Sequence, residues 1–157
     1  MKVTVLVVGK VKHPLADAVA EYEARARRYW RLEVVEVPAG AGRRGAEAEV
    51  VRRTEAERLL ARIPAGSRVV ALTRAGEGMN SRELARYLQR LATQAVPDAT
   101  FLIGGAFGLS PRIVERADRR LALSRMTLPH EMARLFLAEQ LYRAGTIVRG
   151  EPYHKGD

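Results

Sequence analysis

A glycine-rich turn interrupts the segment TFLIGGAFGLSPRIVERAD, residues 100–118, between an apolar run and a helical pattern. Glycine carries no Cβ, so backbone N–H groups in such a turn can approach a ligand closely, as they do around nucleotides and related cofactors. The spacing of Gly104, Gly105 and Gly108 is G-G-x-x-G, which matches neither the dinucleotide fingerprint nor the phosphate loop with its lysine. The turn therefore predicts a site for a nucleotide-like ligand that is not held by a standard phosphate cradle.

Side chains that commonly ligate metals are scarce in this sequence. The chain has no cysteine, and its three histidines are His13, His130 and His154. Without thiolates neither a disulfide framework nor a cysteine-based zinc site can form, and a histidine cluster is not expected with so few members. We therefore expect chemistry that uses no metal.

The charge balance favours a polyanionic partner. Lysine and arginine number 27 against 18 aspartates and glutamates, which gives a net charge of +9. Such an excess is most simply explained by nucleic acid binding, although arginines on solvated helix faces near glutamates are the alternative. The loop from Pro38 to Gly45 contains Arg43 and Arg44, which we expect either to contact RNA or to form a solvated linker.

The elements that must position the glycine turn follow from the hydrophobic pattern. Strands are predicted at residues 3–8, 32–37, 68–73, 100–105 and 120–127, and helices at 14–30, 46–63, 81–95 and from 110 onward. Asn80 and Glu83 have the spacing of a capping box, and Ser110 followed by Pro111 is typical of a helix start. This alternation predicts one α/β domain over residues 1–157, with a mostly parallel sheet and helices on both faces.

Three loops of this predicted sheet contain candidate binding residues. Parallel sheets bind ligands beyond the carboxyl ends of their strands. The glycine turn lies at one such end, TRAGEGMN follows Leu72 at a second, and RMTLPH follows Ser124 at a third. We therefore expect the three loops to converge on one rim of the sheet.

The segment HEMARLFLAEQLYRAG, which follows Pro129, predicts a helix that is apolar on more than one face. Such a helix must be buried on several sides. In a chain of 157 residues one of those sides is expected to belong to a second subunit, so the pattern favours a homodimer over a purely intramolecular core.

The beginning of the chain, MKVTVLVVGKVK, has the pattern of a first core strand rather than of a signal peptide. No apolar run reaches the length that spans a bilayer. We therefore expect a soluble, cytoplasmic protein without a membrane partner.

Several stretches together resemble one bacterial family. IGGAFGLSPRIVERAD, LSRMTLPHEMARLFLAEQLYRA and the ending GEPYHK resemble the ribosomal RNA large-subunit methyltransferase H family, of the SPOUT class of knotted methyltransferases. The resemblance covers nearly the whole chain and includes VLVVGK, EVVEVPAG and VVALTRAGEGMNSRELA. It implies methyl transfer from S-adenosylmethionine to N3 of a pseudouridine in helix 69 of 23S rRNA, by a homodimer acting on the assembled 70S ribosome.

The resemblance also assigns a cofactor site. It implies that the glycine turn lies against S-adenosylmethionine, which would explain why no phosphate-loop lysine follows the turn. Transferred position by position, the cofactor-binding residues are Leu72, Gly104, Gly105, Leu123, Ser124, Arg125, Met126, Thr127 and Leu128. Most would act through backbone N–H and C=O groups that can bond an adenine edge, while the apolar side chains would cover the ring.

The implied reaction needs little from the protein, because the sulfonium carries its own leaving group. The protein has to align N3 with the methyl group and help to remove the N3 proton. The candidates are His154 as base, Tyr153 as a group that positions or stacks on the target base, and Arg143 as the group that stabilises a developing uracil anion. His130, at a helix start, is expected either in the pocket or bonded to local backbone groups.

The SPOUT class has a C-terminal trefoil knot, which the resemblance implies here and which periodicity does not reveal. A knot would place IGGAFG and LSRMTLPH side by side. Two alternative functions stay open from the residues: a SPOUT enzyme that acts on tRNA, and a ribosomal RNA-binding module without catalysis. A titration with S-adenosylmethionine separates the module from the enzymes.

Overall fold

The computed structural model describes residues 1–41 and 46–156, so the predicted RNA contacts of Arg43 and Arg44 lie outside the described residues. Within that part, strands and helices alternate along the chain. The strands are β1 (Lys2–Val8), β2 (Arg31–Val37), β3 (Arg68–Gly78), β4 (Asp98–Ile103) and β5 (Arg119–Ala122). The helices are α1 (Ala16–Ala26), α2 (Ala46–Leu60), α3 (Ser81–Thr93), α4 (Pro111–Arg116) and α5 (His130–Val148).

The five strands form one sheet in the order β2-β1-β4-β3-β5, and every pairing is parallel. Val5 of β1 lies opposite Val34 on one side and Phe101 on the other, which places β1 and β4 at the centre. All six residues of β4 are buried, as expected for a parallel strand covered on both faces. The predicted parallel α/β sheet is therefore confirmed.

Two hydrophobic layers cover the sheet, one on each face. Alternate residues of β4 point to opposite layers, because side chains alternate along a strand. Phe101 packs in the layer that contains α3 and α5 residues such as Leu88 and Leu141. Leu102 packs with Leu59 of α2 and Ile113 of α4 in the other layer. Helices therefore lie on both faces, as predicted.

Two strands end five residues away from their predicted ends, and both differences lie near the rim; β4 begins and ends two residues earlier than predicted. β3 does not end at residue 73: Leu121 of β5 pairs with Leu72 and again with Glu77, so residues 73–76 leave the ladder as a bulge before β3 resumes. β5 does not reach residue 127 but ends at Ala122. The backbone turns shortly after Ala122, because the Met126 N–H donates to Ser124 Oγ at 2.9 Å.

The helix starts agree with their sequence signals. Asn80 caps α3 by accepting the Glu83 N–H at 2.9 Å, and the Asn80 N–H donates to the Glu83 carboxylate at 2.7 Å. Ser110 caps α4 with Pro111 in its first turn. Among the described residues, no helix has the length and apolar character needed to cross a membrane.

Helix α5 is fixed by a buried ion network. The Arg134 guanidinium donates to Glu23 of α1 and to Glu36 of β2, each at 2.7 Å. Burial alone would lower the pKa of Arg134, but the two carboxylates outweigh it and raise the pKa above its ordinary value. Near the other end of α5, Gly145 lets Tyr29 approach so closely that a Cβ would lie 2.4 Å from the tyrosine ring. These contacts set the direction in which α5 leaves the rim.

Candidate functional site

A cleft of about 480 Å³ opens at the bulge of β3 and the carboxyl end of β4, beside the start of α5. We call it the rim cleft. Three chain segments line it: residues 72–75 of the β3 bulge, residues 103–109 around the glycine turn, and residues of the loop between β5 and α5. His130 and Ala133 of α5 complete it. The volume lies within the range typical of small-molecule sites. The three loops converge as the sequence predicts.

The structure brings together most of the residues predicted to bind the cofactor. Those that line the rim cleft are Leu72, Gly104, Gly105, Leu123, Ser124, Met126, Thr127 and Leu128. Arg125 differs from them, since it is exposed and does not belong to the lining. The residues therefore form one site in space, while their contact with a cofactor stays a prediction.

The two adjacent glycines of the turn are also required by the packing of the protein itself. A Cβ on Gly104 would lie 2.6 Å from the carbonyl carbon of Gly108, and a Cβ on Gly105 would lie 2.8 Å from Oε2 of Glu55. Both positions point at the protein's own atoms rather than into ligand space. Gly108 has a φ of +74° and open space around its Cβ position. Gly104 therefore allows the turn to close on itself, and Gly105 allows the turn to pack against α2.

The walls of the rim cleft are joined by polar contacts at its mouth. The Arg74 guanidinium donates to Thr127 Oγ1 at 2.8 Å, which connects the β3 bulge to the loop before α5. His130 Nε2 lies 3.4 Å from the Lys10 carbonyl oxygen at the end of β1. Met126, which also lines the cleft, is 79% exposed. The cleft therefore has an exposed apolar side chain, Met126, next to a hydrogen bond that connects two of its walls.

Glu55 is a buried carboxyl group directly behind the glycine turn, on α2. It is 3% exposed, and its Oε1 has no hydrogen-bond partner among the described residues. Burial raises the pKa of Glu55 above its ordinary value, although the Gly40 N–H and the charges of Arg58 and His130 oppose the rise. The sequence does not reveal this residue, because a glutamate inside a charged helix gives no signal of burial.

Glu55 predicts a specific dependence of stability on pH. Its raised pKa means that the folded protein holds a proton that the unfolded chain has already released, so stability falls as pH rises from the ordinary glutamate pKa to the folded value. We expect Glu55→Gln to flatten this fall and to be relatively more stable at pH 8 than at pH 4.5. Each tenfold difference in the proton affinity of Glu55 between the folded and unfolded states changes the free energy of unfolding by about 1.4 kcal/mol over this pH range.

Urea denaturation of wild type, Glu55→Gln and Glu57→Gln across this pH range measures the effect. Glu57 is exposed on the same helix and serves as the matched control. If all three proteins show the same pH dependence, Glu55 is ionised in the fold and the interpretation of its burial is wrong.

A second group of polar side chains lies on α5 and the C-terminal tail, and we call it the tail cluster: Glu139, Arg143, Tyr153 and His154. Oε1 of Glu139 accepts from Arg143 Nη2 at 2.5 Å and Nε at 3.0 Å, and from the Tyr153 hydroxyl at 3.0 Å. Arg143 Nη1 lies 3.1 Å from His154 Nδ1. The three predicted catalytic residues are therefore brought together, and Glu139 holds two of them.

The protonation states in the tail cluster follow from these contacts. Burial and the hydrogen bond to Glu139 raise the pKa of Tyr153 to about 12, so its hydroxyl stays protonated at neutral pH. A guanidinium can only donate, so His154 Nδ1 accepts and the neutral ring carries its proton on Nε2. That Nε2 is buried without a hydrogen-bond partner among the described residues. In this arrangement neither nitrogen of His154 is open to a substrate, because Nε2 is buried and Nδ1 is bonded to Arg143.

The tail cluster and the rim cleft occupy different parts of α5. Arg143 lies thirteen residues after His130 on this helix, which corresponds to about 20 Å of helix length. None of the tail-cluster residues lines the cleft. The residues predicted to take part in one reaction therefore form two separate groups within a single chain, the rim cleft and the tail cluster. Glu139 was missed, although its four-residue spacing from Arg143 is a signal for a helical ion pair.

Comparisons with known proteins agree with this geometry. A family model described as a predicted SPOUT methyltransferase matches residues 1–154. The chain is 54% identical to "Ribosomal RNA large subunit methyltransferase H" of Gemmatimonas aurantiaca, over 99% of this chain and 100% of that protein. It is 45% identical to the protein of the same name from Syntrophotalea carbinolica, over 98% of this chain and 99% of that one.

Solved structures share the fold at low sequence identity. A probable methyltransferase from Bordetella pertussis matches with a TM-score of 0.53 and 18% identity, over 91% of this chain and 95% of that one. A putative methylase family protein from Neisseria gonorrhoeae matches with a TM-score of 0.53 and 13% identity, over 99% of this chain and 87% of that one.

Proposed function

Because this chain belongs to the SPOUT methyltransferase family, together with the proteins named ribosomal RNA large subunit methyltransferase H, we propose that it methylates 23S rRNA. The target is N3 of a pseudouridine in helix 69, in the assembled 70S ribosome, and the methyl donor is S-adenosylmethionine. The main structural support for this proposal is that the glycine turn and the loop before α5 line one cavity, the rim cleft. The net charge of +9 supports an RNA substrate.

The residues of the rim cleft fit S-adenosylmethionine. Its lining offers backbone N–H and C=O groups at Gly104 and along the loop before α5, together with the apolar side chains of Leu72, Met126 and Leu128. This donor set suits an adenosine and an amino-acid group, whose polar edges backbone atoms can bond. When bound, the cofactor supplies an activated methyl group. The exposed Met126 side chain would gain a partner there.

The tail cluster supplies the groups that handle the target base. Nε2 of His154 is buried, so the nitrogen that can meet the base is Nδ1, which lies 3.1 Å from Arg143 Nη1. When Arg143 turns from His154 to the oxygen on which negative charge develops, Nδ1 of His154 is released and accepts the N3 proton. Tyr153 stays a neutral phenol and positions the base, while Glu139 keeps Arg143 in reach.

A homodimer reconciles the two groups, because the tail cluster of one protomer can complete the rim cleft of its partner. The exposed side of α5 supports this arrangement, since Met132 is 43% and Phe136 41% exposed. They are four residues apart and form one apolar strip on the helix. Such a strip is typical of an interface between subunits. The trefoil knot belongs to the proposal as well, and the meeting of the glycine turn with Leu123 and Leu128 supports it.

Methyl transfer with two substrates tests the proposed function. We expect the wild-type protein and labelled S-adenosylmethionine to modify 70S ribosomes at one pseudouridine, found by mass mapping of nuclease fragments, and to leave bulk tRNA unlabelled. Calorimetric titration should show cofactor binding, and a hundredfold excess over the Kd should stabilise the fold by about 2.7 kcal/mol. Labelled tRNA with unlabelled ribosomes would instead favour the tRNA enzyme. No cofactor binding would favour a non-catalytic RNA-binding module.

A further inference from the structure

A second cavity of about 460 Å³ lies between residues of β3, the start of β5 and α3. Four arginines and two carboxylates line it, and we call it the arginine recess. Its charged residues are Arg68, Arg90, Arg119, Arg120, Glu77 and Asp118. β5 is the last strand of the sheet, so its second edge has no strand partner. None of these side chains has a part in the methyl transfer described above.

Tyr87 forms the floor of the arginine recess and holds two of its guanidinium groups in place. Its side chain is buried at 6% exposure. The guanidinium of Arg119 lies 4.9 Å from the centre of the ring and that of Arg90 lies 5.6 Å from it. A cation on an aromatic face stays charged and keeps its N–H groups available. Two like charges are thereby held near each other, an arrangement that an anion would stabilise.

The carboxylates of the recess neutralise it only in part. Asp118 accepts the Val69 N–H at 2.8 Å and lies 3.9 Å from Arg68. Glu77 lies 3.5 Å from Arg119 and is itself exposed. In the part of the chain that the structure describes, Arg90 has no carboxylate partner. Four positive charges against two negative ones leave a positive surface.

We propose that the arginine recess binds phosphate groups of the RNA strand next to the nucleotide that is presented to the cofactor at the opening of the rim cleft. This inference rests on the proposed function. Guanidinium groups match phosphate oxygens through paired N–H donors, and contacts to the RNA backbone fix the register of a substrate. Arg90 and Arg119, on Tyr87, are the phosphate contacts.

The position of the recess supports an RNA strand as the ligand. Ala75, in the bulge of β3, lines both the recess and the rim cleft, so the two cavities lie on either side of one short segment. A strand that brings one base to the opening of the rim cleft continues within reach of the recess. The recess contains exposed arginine side chains rather than a closed cradle of backbone N–H groups, which suits a repeated polyanion better than a single small phosphate.

Binding to 70S ribosomes at several salt concentrations tests this surface. Wild type and the double variant Arg90→Gln with Arg119→Gln are labelled with a fluorophore, and anisotropy gives the Kd at each salt concentration. We expect the double variant to bind about tenfold more weakly at low salt. Because each phosphate contact to single-stranded RNA contributes about 0.7 to the logarithmic salt slope, the slope should become shallower by about 1.4. Affinity for S-adenosylmethionine should stay within twofold.

Two control variants separate the recess from general effects of charge and folding. Arg53→Gln removes an exposed arginine on α2, on the other face of the sheet. The Kd for ribosomes and the salt slope of this variant should stay close to those of wild type, because only one distant charge is lost. Tyr87→Phe keeps the ring face and should bind ribosomes like wild type.

Each outcome decides one of the two claims. If the double variant binds ribosomes with the wild-type Kd and slope, the recess does not contact RNA and the inference is overturned. A different result is that both proteins bind ribosomes equally, while inorganic phosphate at millimolar concentration protects only wild type from thermal unfolding. The recess is then a site for a small anion, and the inference is overturned. If wild type binds ribosomes through the recess but transfers no methyl group, the proposed function fails and the recess stands.

Discussion

Deletion of residues 153–157 is expected to lower single-turnover methylation of 70S ribosomes by about a hundredfold or more, because it removes Tyr153, which positions the target nucleotide, and His154, which accepts its N3 proton. Affinity for S-adenosylmethionine should stay within twofold, since none of these residues lines the rim cleft. Little core is lost, because the tail is short and polar and Tyr153 is only half-buried. The matched control is deletion of residues 155–157, which keeps Tyr153 and His154 and should retain wild-type turnover.

Mixing two inactive proteins locates the tail's site of action. The two proteins are one that lacks the tail and one that has a defective rim cleft. If the tail of one protomer acts in the cleft of its partner, exchange of subunits should restore activity, because each mixed dimer pairs one intact cleft with one intact tail. Recovery is not expected if each tail serves its own cleft. Full activity of the tail-deleted protein alone would show that the catalytic groups lie elsewhere, with Arg143 and His130 as the next candidates.

Replacement of Gly104 by alanine is expected to weaken S-adenosylmethionine binding at least tenfold. The new Cβ would lie 2.6 Å from the carbonyl carbon of Gly108 and 2.8 Å from the Leu109 nitrogen. Both are backbone atoms, so the glycine turn must open to relieve the contact, and the cleft wall formed by Gly108 and Leu109 moves with it. Overpacking of this kind typically costs about 1–3 kcal/mol of stability.

Calorimetry and urea denaturation of Gly104→Ala measure the two effects together. Gly78→Ala is the matched control, since a Cβ at Gly78 meets no atom within 4 Å. It should keep both cofactor affinity and stability. If Gly104→Ala folds and binds S-adenosylmethionine like wild type, the turn tolerates expansion and its backbone does not form the cofactor wall.

The sequence predicts the fold well where local signals and tertiary packing agree. Asn80 and Ser110 cap their helices as their types and spacing indicate, because a side-chain cap depends on residues only three positions away. The apolar run of β4 is buried on both faces, as periodicity requires for a central parallel strand. Strand ends were less predictable: β5 stops at Ala122 because Ser124 turns the chain, although the following residues are compatible with a strand.

The site was predictable only in part. Resemblance supplied the residues that converge on the rim cleft, but the contacts that give each its role depend on the fold. Gly105 faces the buried carboxyl group of Glu55, fifty residues earlier in the chain, and no local pattern relates the two. The recess contact between Tyr87 and Arg119 likewise joins residues that are distant in sequence. Such pairs are set by strand order, which the sequence does not display.

The strand order also constrains how the chain folds during its synthesis. β4 fills the gap between β1 and β3, so neither of those strands has both neighbours until residues 98–103 have left the ribosome. Until then β1 and β3 expose apolar edges that can pair with other chains. Pairing of β1 with β4 closes a loop of nearly one hundred residues, which makes folding slow relative to proteins with local contacts. The nascent chain therefore depends on early shielding of its first strand, and β2, which pairs with β1 directly, is the element placed to provide it.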